Sequence, residues 1–82
     1  MNIPELMEAA KKEVDISKCY EPAEKCIAQH ILFKDFIDGT KWKGLPKIIF
    51  YLLLNETYGQ AVDKDKDGYL GYKIKLKNIS ID

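Results

Sequence analysis

The chain has 82 residues, 46% hydrophobic and 11% aromatic, which supports one small core and excludes a disordered composition. Thirteen basic residues balance thirteen acidic ones, so no net field draws the chain to a polyanion or an anionic membrane. Every basic residue is a lysine, and without arginine the chain lacks the side chain best suited to bidentate phosphate and guanine contacts.

Two cysteines, Cys19 and Cys26, are too few for a disulfide framework, and Met1-Asn2-Ile3-Pro4-Glu5 does not read as the start of a secretory signal. The expectation is a cytoplasmic protein with reduced thiols, folded as one domain over residues 1–82. Abundant Lys and Ile without Arg also suits an AT-rich coding sequence, as in a phage or mobile-element accessory protein.

Asn2 with Glu5 three residues later resembles a capping box, and Pro4 suits a first helical turn. Ile3, Leu6, Met7, Ala10 and Val14 then share one helical face, with Glu5, Glu8, Lys11 and Lys12 opposite. After a connector over residues 15–21, Pro22 reads as the opening of a second helix that runs to Asp38 and ends at Gly39. Its apolar arc would hold Ala23, Cys26, Ile27, His30, Phe33, Phe36 and Ile37. Ala28, Ile31 and Leu32 fall outside that arc, a surplus that needs a second cover, a partner protein or another copy of the chain.

Thr40, Lys41, Trp42 and Lys43 form a loop between Gly39 and Gly44, with the single tryptophan at its centre. The densest apolar run follows, Ile48-Ile49-Phe50-Tyr51-Leu52-Leu53-Leu54, with Pro46 at its first turn and Gly59 as its stop. Ile48, Ile49, Phe50, Leu52, Leu53 and Leu54 cover about two-thirds of the circumference, and Lys47, Tyr51, Asn55 and Tyr58 the remaining arc. Such a helix reads as the centre of the fold. It is too short for a bilayer, which takes about 20 apolar residues.

Beyond Gly59 the period changes to two. Leu70, Tyr72, Ile74 and Leu76 alternate with Gly71, Lys73, Lys75 and Lys77, a strand with one buried face. Asp67-Gly68 signals a turn, so Gln60-Ala61-Val62 is expected to pair back across it. Ile79 and Ile81 alternate in the opposite phase, which implies a bulge near Asn78. The expected fold is α+β: a three-helix core with a small C-terminal antiparallel hairpin or sheet.

Asp63, Asp65 and Asp67 before Gly68 match the first half of an EF-hand loop, where alternate carboxylates converge on one hard cation. The twelfth position is Ile74 instead of a bidentate glutamate, so the loop would offer at most a weak calcium site. No other cofactor is indicated. Cys26 and His30, four apart on the expected helix, could share a metal, but tetrahedral zinc needs two further ligands. Ser17, Thr40, Thr57 and Ser80 stand in no nucleophile motif, and a thiol among apolar neighbours is inert. An enzyme is not expected.

Three helices followed by a hairpin is also the element order of a winged helix, whose third helix would read DNA with an exposed polar face. Here that helix is the most apolar element, and the lysines at 73, 75 and 77 read as a solubilising face. By elimination the reading is a small protein-interaction domain, an adaptor or inhibitor. Its expected contact residues are Trp42 with Lys41 and Lys43, and the surplus pair Ile31 and Leu32.

Overall fold

A computed structural model of the chain describes residues 2–77. Helix α1 (Ile3–Glu13) forms where its capping sequence places it: Asn2 Oδ1 accepts the Glu5 N–H at 3.0 Å, and Pro4 sits in the first turn. Its buried stripe is Met7 and Ala10. The connector contains a single helical turn, α2 (Ile16–Cys19), capped by Asp15, whose Oδ1 accepts both the Ser17 N–H and its hydroxyl.

The expected Pro22–Asp38 helix is two elements. Residues Tyr20–Ala28 are strand β1, and helix α3 starts only at Gln29 and runs to Gly39. Local propensity favours a helix through Ala23, Glu24 and Lys25; the strand wins because it covers the side of the C-terminal strand that would otherwise be a bare edge. The phase break also accounts for two of the three surplus apolar residues, Ala28 and Leu32, which are fully buried, and leaves Ile31 38% exposed. Counted from Gln29, Leu32 and Phe36 form the buried stripe of α3, both fully buried, with Phe33 and Ile37 half-buried beside them.

Helix α4 (Lys47–Tyr58) is the expected central helix, ended by Gly59 at φ 81°, a left-handed conformation that glycine adopts without strain. Phe50 is its hub: ring centroids lie 5.2 Å from Phe36, 5.4 Å from Phe33 and 6.3 Å from Tyr20. Ile49, Phe50, Leu53 and Leu54 are buried. Ile48 is not, being 56% exposed, so the buried arc is narrower than the sequence pattern implied. Helix α1 packs on α4, and α3 packs between α4 and the sheet.

The sheet is antiparallel in the order β1-β3-β2, with β2 at Asp63–Lys64 and β3 at Leu70–Leu76. The hairpin forms across the Asp67-Gly68 turn as expected, but β2 begins at Asp63 and not at Gln60-Ala61-Val62; Ala61 is instead buried in the core. Tyr72 and Ile74 are buried and Leu76 half-buried, all under the helices, while Lys73 and Lys75 stay in solvent. Lys75 stands opposite Glu21 across β1 and pairs with it at 3.6 Å. The Tyr72 hydroxyl fastens β3 to the end of α4, 2.8 Å from Asn55 Oδ1 and 2.9 Å from Gly59 O.

Strand β1 does not run evenly along β3. Pro22 is opposite Ile74 and Ile27 opposite Tyr72, so residues 23–26 bulge against Lys73 alone. Past the bulge β1 presses onto Gly71, where an added Cβ would overlap the Ile27 carbonyl and lie 2.8 Å from Ala28 Cα. The expected bulge near Asn78, with Ile79 and Ile81, lies outside the described residues.

Candidate functional site

The bulge of β1 leaves a groove beside it. Lys25, Cys26 and Ile27 form one wall, Ile31 and Asp35 of α3 a second, and Lys64 at the end of β2 with residues 65–67 of the β2–β3 loop a third. The groove holds ≈ 590 Å³. Its apolar floor is Cys26 and Ile27, both half-buried, with Ile31 at 38% exposure. Around this floor stand Lys25, Lys64 and Lys66 and, with opposite sign, Asp35, Asp65 and Asp67.

The loop wall is stiffened by Asp65. Its Oδ1 accepts the N–H groups of Asp67 and Tyr69, each at 2.9 Å, and its own N–H donates to Tyr69 O. Gly68, at φ 87°, closes the turn. Asp65 is thus committed to backbone donors while Asp63 lies in β2, and among the described residues no three His, Cys, Asp or Glu side chains gather as a metal site would require. Asp65 here supplies turn chemistry, its carboxylate serving the backbone of the loop that Gly68 closes.

Cys26 and His30 do not share a helix face, because Cys26 belongs to β1 and His30 to the first turn of α3. His30 is exposed and meets Tyr69 edge-on at 5.0 Å, tying α3 to the hairpin loop. Burial pushes the Cys26 thiol up, and the carboxylates of Asp63 and Asp65 push it further. Burial, followed by Asp15, does the same to Cys19.

Of the two residues expected as one contact patch, only Ile31 reaches the surface; Leu32 is fully buried, its carbonyl accepting the Tyr20 hydroxyl at 3.2 Å. Adjacent positions on a helix point about 100° apart, so both cannot face one partner. Trp42 is half-buried, its ring packed against Phe36 at 6.5 Å between centroids and its backbone N–H donating to Thr40 Oγ1. Lys43 does not form a free rim: its ammonium donates to Ile37 O and Asp38 O, closing the end of α3. Lys41 instead lies over the indole, its Nζ 4.7 Å from the ring centroid.

Lys25, Cys26 and Ile27 were hidden from sequence reasoning as groove residues by the helical reading of residues 22–38. The one signal against that reading was its apolar surplus, which a break near Ala28 resolves for Ala28 and Leu32.

Compared with protein-family models, curated proteins and solved structures, the chain matches none. The fold is a small α+β domain, and no helix among the described residues is long and apolar enough to cross a membrane.

Proposed function

We propose that the protein is a small non-catalytic interaction domain, an adaptor or inhibitor, which seats an apolar side chain of a partner protein over Cys26, Ile27 and Ile31. The observation that carries this reading is the apolar floor left open between three separate segments and ringed by charges of both signs. A lone exposed isoleucine is ordinary, whereas a concave apolar patch with a polar rim has the make-up of an interface core. A polypeptide can match three lysines and three aspartates at once. A polyanion cannot, because Asp35, Asp65 and Asp67 would repel it. Protonated thiols at Cys19 and Cys26 support a non-catalytic role, and a reducing cytoplasm suits both.

A second reading draws on the chain order. Helix, strand, two helices and a hairpin, with sheet order β1-β3-β2, follow the arrangement of a winged helix, which makes α4 the groove-reading helix and the β2–β3 loop the wing. Its exposed row would be Lys47, Ile48 and Asn55, and its wing would carry Asp63 and Asp67. On a neutral chain this surface lacks the positive field that supplies most nucleic-acid affinity, so the architecture favours the reading and the charge opposes it.

Affinity purification from the native host separates the two. A stoichiometric protein should be retained by the wild type and by Val62→Asp, 78% exposed and outside the groove, but lost with Ile31→Asp at unchanged melting temperature. Retention by Ile31→Asp refutes the groove; co-eluting nucleic acid supports the winged-helix reading instead.

A further inference from the structure

A second concavity lies where the end of α1 meets the loop after α3. Glu13, the last residue of α1, lines it together with Lys41 and Trp42, and Leu6, Leu45 and Pro46 continue it as an apolar slot. Three features there favour positive charge. The indole presents a π face, the acidic residue Glu13 is part of the lining, and the C-terminal end of an 11-residue helix adds a partial negative charge. The indole is backed by Phe36, and the backbone beside it is tied down, the Trp42 main-chain N–H donating to Thr40 Oγ1 and the Thr40 hydroxyl donating to Phe36 O at 2.7 Å.

An ammonium already occupies the position. Lys41 Nζ lies 4.7 Å from the ring centroid, inside the range at which a cation is attracted to an aromatic face. Lys43, the other nearby cation, is withdrawn to the carbonyls of Ile37 and Asp38 and does not compete. We infer that this cleft is a recognition site for a cationic side chain, an arginine or lysine of a partner protein, and that Lys41 fills it in the unbound protein. The adjoining slot of Leu6, Leu45 and Pro46 receives the apolar part of the incoming side chain or its neighbour. The inference is independent of the groove at Ile31, which other elements build.

Trp42 is the chain's single tryptophan, so its emission reports this cleft alone. The test titrates blocked arginine amide, and the uncharged isostere citrulline amide, into the wild type, Lys41→Ala, Glu13→Gln and Ile31→Asp at constant ionic strength. Arginine amide should give a saturable change in the wild type, at a concentration two- to fivefold lower (about the worth of one exposed cation–π contact) in Lys41→Ala. Glu13→Gln should weaken it, Ile31→Asp should match the wild type, and citrulline amide should give no saturable change. Equal response to citrulline, identical titration of wild type and Lys41→Ala, or no saturable response in any protein overturns the inference. Circular dichroism of the exposed-site variants confirms that each is folded.

Discussion

Gly71 is the residue whose side chain, by its absence, decides the sheet. The Ile27 carbonyl occupies the space a Cβ would need, and the obstructing atoms are backbone, which cannot rotate away. Gly71→Ala should therefore cost about 3 kcal/mol or more, against a near-neutral effect for Gly44→Ala, where nothing lies within 4 Å. Equal denaturant midpoints for the two would mean that β1 does not cross so closely. Tyr20 and Tyr72 set an alkaline limit. Burial above all raises both hydroxyls, and Tyr20 also donates to the Leu32 carbonyl. A group whose folded pKa is raised contributes stability that is fully present below its unfolded value and lost as pH rises past it. Melting temperature should thus fall above about pH 10, the ordinary tyrosine value, and Tyr20→Phe should flatten that fall.

Helix α4 carries the packing at the scale of elements. Leu53, 4% exposed, should lose about 2–5 kcal/mol on truncation to alanine. Half-buried Leu52 should lose less, and Ile48→Ala should cost well under about 1 kcal/mol. The order Leu53, Leu52, Ile48 in urea unfolding checks the face assignment; a larger loss at Ile48 would reverse it. The β2–β3 loop offers a second check. Because Asp65 Oδ1 is held by two backbone N–H groups, millimolar calcium should leave the melting temperature unchanged. A rise of several degrees would mean that Asp63, Asp65 and Asp67 can reorganise around the ion.

The whole molecule is neutral, with a pI near 6.6, and the ion pairs among its described residues, Lys11–Glu56, Lys18–Asp15 and Lys75–Glu21, are all substantially solvent-exposed. Such pairs contribute little and are screened by salt, so the unfolding midpoint should barely move between low and high ionic strength. A strong salt dependence would reveal a charge network that these pairs do not account for.

Much of the domain was legible in the sequence because it is encoded locally. The cap at Asn2, the apolar run ending at Gly59 and the period-two pattern from Leu70 each arise from contacts a few residues apart, and each element formed near its predicted place. Turn chemistry likewise placed the Asp67-Gly68 bend. What tertiary structure alone decided is the fate of residues 20–32. Their local propensity is helical, yet pairing with β3 and the space above Gly71 make Tyr20–Ala28 a bulged strand. That one change rephased α3, sent Leu32 into the core and Ile31 to the surface, and opened the groove between β1, α3 and the distant β2–β3 hairpin. The partners of an edge lie some fifty residues away along the chain, and no local periodicity records them.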